Sequence, residues 1–248
     1  MIPVRWEDLS SEEIPSVLAR VGQAVLWPFG ATEQHGPHLG LGVDTFIAQA
    51  LCLEVSARTK VPVLPVLPVG CSLGHTKKWP GTLSLSPSTL IAMIAEIGGW
   101  LHATGVRRLF MVNAHVTNFA PLRCGLEELR FRFDDLQIAL INTSEISPRV
   151  REIFFAEGAD WHANAAETSL MLHLRPDIVR IGKLIEADDP DRTPGLQFAH
   201  RVDRTSRNGV TGFPSRASAA DGSALFAAMV EDLTLRVTAG ITETPPLP

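Results

Sequence analysis

No apolar run in this 248-residue chain reaches the length of about 18 residues that a membrane-spanning helix needs. The acidic opening MIPVRWEDLSSEEIP has no apolar core of signal-peptide length, so export by that route is not expected. Cysteine is scarce. The three thiols, at 52, 71 and 124, are too few and too far apart for a disulfide framework or a thiolate cluster, and they read as buried thiols in a reducing, cytoplasmic setting. Basic charge is dispersed as well: 22 Lys and Arg against 27 Asp and Glu give a net charge of -5, with short clusters at Lys77-Lys78 and between Arg201 and Arg207. This argues against a nucleic-acid partner, and those clusters read as exposed loops. No Gly-x-Gly-x-x-Gly or Walker A pattern follows a strand, which leaves a nucleotide-cofactor reading without support, and no serine has the strand-embedded Gly-x-Ser-x-Gly surroundings of a nucleophile elbow, which makes serine hydrolysis a weak rival. Tyrosine is absent beside five tryptophans, and no functional class follows from that.

What the chain does have is a dense ligand segment. WPFGATEQHGPHLGLGVDT, residues 27–45, carries Glu33, His35, His38 and Asp44 in a glycine-rich stretch that closes a hydrophobic run. Carboxylate oxygens and imidazole nitrogens suit zinc or manganese, and Glu33 and His35 can converge on one ion if the backbone leaves the strand and turns. Any one of these histidines reads equally well as a core or surface residue. The four together do not.

Around this segment the pattern alternates. Apolar spacing after Ser10-Ser11 predicts a helix at Ile14, Val17 and Leu18, residues 24–29 predict a buried strand, and residues 46–59 predict a helix. VPVLPVLPVG reads as an extended strand that its prolines confine to an edge or an irregular position. Residues 70–87 read as an ordered loop, 88–102 as a helix, 107–113 as the central strand, 118–132 as a helix and 136–142 as a strand. After Ser147 the pattern is less regular until the helix predicted over 165–174. Residues 186–216 read as a surface excursion, a lid or a subunit contact, and 217–237 as a last helix. This order predicts an α/β fold, a three-layer αβα sandwich with a largely parallel central sheet, in one domain over 1–248. Polar groups just past the carboxyl ends of parallel strands share one rim, so Glu33, His35, Asp44 and His115 can meet there. In GADWHANAAETS, His162 on a loop and Glu167 in a first helical turn can approach the same pocket, and helix capping is the competing account of Glu167. Trp79 and Trp161 are candidates for the walls of a substrate pocket, with core packing as the alternative.

These residues resemble the creatininase, or creatinine amidohydrolase, family. The resemblance spans most of residues 20–175 and rests on EQHGPHL with Asp44, on PGTLSLSP, on Asn113-Ala114-His115 with Asn118, and on His162-Ala163 with Glu167-Thr168-Ser169. It implies a hydrolase that acts mainly on amide bonds, including cyclic ones. It also implies two divalent ions, zinc or manganese with iron(II) also admissible, and a homo-oligomer, commonly a hexamer. By resemblance Glu33, His35, Asp44, His115 and Glu167 are metal positions, Asp44 is the bridging carboxylate and His162 is the catalytic histidine. His38, His75, Trp79, Asn118 and Trp161 are expected around the substrate. Two departures stand out. The family's glycine-rich Asn-Gly-His-Gly-Gly-Asn element is NAHVTN here, with Thr117 where creatininase itself has an acidic ligand, and the loop from Gly74-His75 to Trp79-Pro80-Gly81-Thr82 is longer. The expected reaction is therefore cleavage of a non-peptide C–N bond in a small or cyclic amide (a lactam) other than creatinine. Deformylation, peptide trimming and cyclic-ketone hydrolysis are the enzymatic alternatives, thiol catalysis by Cys71 or Cys124 is a further rival, and a noncatalytic metal-dependent binding protein is the non-enzymatic one.

Overall fold

The computed structural model describes residues 1–247. Three parallel strands, β1 (Ala24–Phe29), β2 (Arg108–Asn113) and β3 (Gln137–Asn142), form a sheet in the order β1-β2-β3. The helices are α1 (Ile14–Arg20), α2 (Val43–Thr59), α3 (Pro87–Ala103), α4 (Phe119–Arg132), α5 (Pro148–Phe154), α6 (Ala165–Leu174), α7 (Leu184–Ala187), α8 (Val202–Thr205) and α9 (Ala219–Ile241). Side chains alternate across the sheet and so build two cores. Leu26, Phe110, Val112 and Ile141 pack on one face with α2, α6 and α9, while Val25, Trp27, Leu109 and Met111 pack on the other with α3 and α4. The result is an α/β fold with helices on both faces of a parallel sheet, as expected. No helix among the described residues is long and apolar enough to cross a membrane.

The register pairs Phe29 with Asn113 and Asn113 with Asn142, so all three strands end at one rim. The segment after β1 lies tightly on α2: a Cβ at Gly30 would sit 2.5 Å from the Thr45 Cα. Only glycine permits that approach, which brings the ligand segment and the start of α2 onto the same rim.

Several local expectations differ from what is observed. The 62–70 stretch runs beside β1 through isolated bridges at Val63 and Leu67 rather than as a strand, because Pro62, Pro65 and Pro68 lack the amides a continuous ladder needs. Helix α2 begins three residues earlier than its apolar spacing suggests, which moves Asp44 from the loop into the first helical turn. Helix α5 occupies residues read as irregular. Its signal is Ser147, whose hydroxyl accepts from the Val150 amide, followed by Pro148 at the first helical position. Residues 186–216 are not a free excursion. Ala187, Asp189, Val210 and Thr211 are buried, Asp189 pairs with Gly212, and Thr211 pairs with His162, so both ends are fastened and the exposed part is the middle. Cys52 and Cys71 are buried, whereas Cys124 faces solvent on α4.

Candidate metal centre

Glu33 and His35 follow β1, Asp44 opens α2, His115 follows β2 and Glu167 lies in the first turn of α6. The structure brings these five side chains together at the strand ends, and all five are buried. They form two overlapping groups, Glu33 with Asp44 and His115, and His35 with Asp44 and Glu167, each with its donor atoms within 4.8 Å of one another. Asp44 belongs to both. Its Oδ1 is 3.6 Å from His35 Nε2 and its Oδ2 is 3.5 Å from His115 Nδ1. Glu33 Oε1 lies 3.3 Å from His115 Nδ1, and Glu167 Oε1 lies 3.9 Å from His35 Nε2.

Each imidazole has one nitrogen tied to the backbone and the other turned inward. The Nδ1–H of His35 donates to the Glu33 carbonyl at 3.1 Å, leaving Nε2 toward Asp44 and Glu167. The Nε2–H of His115 donates to the Cys71 carbonyl at 2.9 Å, leaving Nδ1 toward Glu33 and Asp44. Ser72 and Thr117 hydroxyls crowd the same Nε2, at 3.2 and 2.6 Å, and Thr117 also donates to the Cys71 carbonyl. An outer hydrogen bond that fixes tautomer and ring orientation in this way is characteristic of metal-ligating histidines. Asn113 completes the local geometry by accepting from the His115 amide through Oδ1 and donating to the His115 carbonyl through Nδ2.

The donor set passes a direct test of fit for a cation. Both Glu33 carboxylate oxygens, His35 Nε2 and Asp44 Oδ2 are buried without a hydrogen-bond partner. Buried polar atoms are nearly always partnered, and four unsatisfied ligand atoms facing one space are what bound cations would satisfy. The set is all oxygen and imidazole nitrogen, which suits zinc, manganese or iron(II). The electrostatics of the ion-free chain agree. Burial raises the Glu33 and Glu167 carboxyls, the latter to about 7. Burial opposes charge on His35, but Asp44, Glu167 and Glu33 together outweigh it and push the imidazole up to about 10.

His162 and His75 stand beside this cluster. His162 Nδ1 is 3.6 Å from Glu33 Oε1, and its Nε2–H donates to the Gln34 carbonyl at 2.9 Å. Burial, then the neighbouring His35 and His75, hold His162 well below the usual histidine range, so it is neutral. It also satisfies the donor-distance condition with Glu33 and His35, which makes ligation a geometric alternative. The following Ala163 has φ 51°, a left-handed conformation uncommon for a residue with a side chain, and its amide donates to Glu167 Oε2 at 2.6 Å. His75 lies with Nε2 3.8 Å from Glu33 Oε2, and burial pushes it down to about 3.

Two cavities open at the cluster. One, of about 90 Å³, is bounded by Glu33, Asp44, His115 and Glu167 with His75, Thr117, His162 and Val202. The other, of about 270 Å³, continues from it past Phe119, Asn142 and Phe155, and His115, Val116, Asp160 and Trp161 belong to both. Trp161 thus lies where a pocket wall is expected. Contrary to expectation, three other residues, Trp79, Asn118 and His38, line neither cavity. Trp79 is half-buried in its loop with Lys78 over its ring. Asn118 is consumed in holding the scaffold, accepting from the Cys71 amide and donating to the Gly30 carbonyl. His38 is buried behind the ligands, paired with the Thr168 hydroxyl. Burial pushes the Cys71 thiol up, the opposite of what a nucleophile requires.

One organising residue was not singled out in the sequence. The Gln34 side-chain amide donates to His75 Nδ1 and to the Gly209 carbonyl, both at 2.9 Å, while its own carbonyls hold His162 and the Gly36 amide. Gly209 has φ 89°, and a Cβ there would sit 1.9 Å from Gln34 Oε1, so the return of the 186–216 segment is clamped onto the site at this point. The signal was present only as the residue between two ligands.

Comparison with known proteins gives consistent results. The family model for creatininase, described as creatinine amidohydrolase, matches residues 7–237. A protein named mycofactocin precursor peptide peptidase from Mycobacterium tuberculosis is 33% identical over 251 residues, covering 95% of this chain and 92% of that one. A creatinine amidohydrolase from Pseudomonas putida is 28% identical over 241 residues, covering 91% and 93%. A solved mutant creatininase of Zn-Zn type superposes with a TM-score of 0.84 at 28% identity over 98% of this chain and 100% of that one, and a manganese creatininase does so over 97% and 100% at the same score and identity.

Proposed function

The chain belongs to the creatininase family, and on that premise we propose that it is a dinuclear metal-dependent amidohydrolase that cleaves the C–N bond of a small or cyclic amide other than creatinine. The observation that carries this reading is Asp44, whose two oxygens face two different ligand groups among otherwise unsatisfied buried donors. Glu33, Asp44 and His115 would hold one ion, and His35, Asp44 and Glu167 the other. Divalent ions held there supply Lewis acidity, which polarises a carbonyl and makes water acidic enough to attack it near neutral pH.

The chain's own residues supply proton handling. His162 is neutral, its Nε2–H is committed to the Gln34 carbonyl, and its Nδ1 lone pair is the one turned toward the cluster. It is suited to take a proton from the attacking water as the new C–O bond forms. The same proton then goes to the leaving nitrogen as the C–N bond breaks. Thr117 occupies the position where creatininase itself has an acidic ligand, but its hydroxyl engages His115 Nε2 and the Cys71 carbonyl, so Glu167 completes the second group. That difference is the ground for excluding creatinine.

Peptide trimming is the second reading. The adjoining cavity of about 270 Å³ supports it by offering room beyond the scissile bond, and the mycobacterial relatives are named for it. The proposal includes zinc, manganese or iron(II) as the ion and assembly into a homo-oligomer, both carried by the resemblance. The test is to strip the protein with a chelator, reload it with zinc or manganese, and assay lactams, linear amides and short peptides. Hydrolysis that disappears on stripping and returns on reloading supports the reading, and the preferred class separates small amide from peptide. Undiminished hydrolysis by the stripped protein, or none by the reloaded one, overturns it.

A further inference from the structure

The cavity that adjoins the metal centre has an acidic mouth. Lys and Arg are absent from the linings of both cavities, whereas Asp160 belongs to both and Glu145 to the outer one. The two acids differ in how they are held. Glu145 accepts from Asn142 Nδ2 at 3.2 Å and lies 3.4 Å from Arg151 Nε, so it already has a cation. The Asp160 carboxylate has no hydrogen bond and no ion pair among the described residues. Its only polar link is through its backbone amide, which donates to Asp191 at 3.4 Å. Asp191 is itself an acid, and partial burial of the Asp160 carboxyl followed by that neighbour raises it, while the residue as a whole lies exposed at the cavity mouth. A carboxylate without a protein partner at such a mouth is free to receive a ligand's cation.

The wall beside it is aromatic. Trp161 follows Asp160 directly, packs against Phe154 and Phe155 with ring centroids 5.0 and 5.8 Å away, and lines both cavities. One face of Phe155 is taken by the Arg151 guanidinium, 4.4 Å from its centroid, so Trp161 is the ring next to Asp160 that borders both cavities, with the exposed Phe119 a further ring in the outer one. A carboxylate next to an indole is the combination that recognises ammonium or guanidinium groups.

We propose that Asp160, with Trp161, is a specificity-determining residue that selects substrates carrying a cationic ammonium or guanidinium group beside the scissile amide. This rests on the amidohydrolase reading for the word substrate, but the selection itself is a binding property and is measured independently of turnover. Because the outer cavity joins the ligand cluster through His115, Val116, Asp160 and Trp161, the charged group and the reacting carbonyl would belong to neighbouring parts of one molecule.

The experiment measures binding of three small amides to the zinc-loaded protein by calorimetry: N-acetylargininamide, leucinamide and N-acetylleucinamide. The first carries its cation on the side chain, the second on the α-amine, and the third has none. At least one cationic amide is expected to bind about tenfold or more tightly than the neutral one, the size of a charge-assisted hydrogen bond in a partly exposed site. Which cationic amide wins identifies the source of the charge. In Asp160→Asn the ratio of cationic to neutral affinity should fall close to one, and in Asp160→Lys it should invert. Equal binding of all three, or a cation preference that survives Asp160→Asn, overturns the proposal. Failure of the amidohydrolase reading would appear separately, as absence of hydrolysis with the binding preference intact.

Discussion

Asp44→Asn tests whether one carboxylate serves two ions. Asp44 sits in the first turn of α2, where the helix dipole favours an anion, with one oxygen toward His35 and the other toward His115. Asparagine keeps the shape and loses the charge. Removing a group that merely orients a ligand changes metal affinity by about 10–100-fold, so losing a charged ligand is expected to weaken each ion by at least about 100-fold. At free metal about 100 times the wild-type Kd, each ion stabilises the fold by about 2.7 kcal/mol, and an ion bound 100-fold more weakly by about 0.4 kcal/mol. A shared carboxylate therefore predicts a loss of about 4.6 kcal/mol over two ions, or roughly 9–18 °C in Tm for a chain of this length. His35→Asn touches one group only and predicts about half of that. Both variants would be melted at the same free zinc, each referred to its own ion-free melt, with metal content measured on the same samples. A zinc-dependent loss in Asp44→Asn no larger than in His35→Asn, or one ion retained at wild-type affinity, refutes the shared role.

His162→Ala should retain both ions and lower kcat by about 10²–10⁴, less for substrates whose leaving nitrogen needs little protonation. Loss of an ion would reassign His162 to ligation, and unchanged turnover would leave it structural. Metal uptake should release protons, because ligation needs a neutral imidazole and an ionised carboxylate, whereas His35 in the ion-free chain holds its proton up to about 10 and Glu167 up to about 7. Zinc affinity should therefore rise between about pH 6 and 8, and calorimetry in buffers of different ionisation enthalpy would count the protons; a pH-independent affinity contradicts this. Thr117→Val removes a hydroxyl from His115 Nε2 and should weaken zinc by about 10–100-fold, which a competition titration would read. Creatinine should be turned over negligibly, and a kcat/KM above about 10⁴ M⁻¹s⁻¹ would overturn the argument from Thr117.

What the sequence made legible was local. The continuous apolar run of β1, the helical spacing of α6 and the alternation of strands with helices need no tertiary information, and they lead directly to a parallel sheet with helices on both faces. The candidate ligand residues were visible because Glu33, His35 and Asp44 crowd one segment and because a parallel sheet gathers strand ends at one rim. Tertiary partners were not visible. Whether a residue in a loop faces a cavity depends on chain far away: Asn118 is drawn inward by the Cys71 amide and the Gly30 carbonyl, and His38 by Thr168. Gln34 reads as a spacer between two ligands until Gly209, 175 positions later, is seen to lie on its amide. The polar, proline-bearing composition of 186–216 concealed Val210 and Thr211, which are buried because Thr211 pairs with His162. Helix α5 was missed for a different reason: its Ser147-Pro148 start was present, but the helix is too short for its apolar spacing to stand out.

Anomalous diffraction from zinc-loaded crystals, recorded on either side of the zinc edge, tests the central claim most directly. The account predicts two peaks per chain among Glu33, His35, Asp44, His115 and Glu167, with one Asp44 oxygen directed to each peak. A single peak in protein that hydrolyses amides at its full rate, or two peaks with Asp44 directed to only one of them, would contradict it.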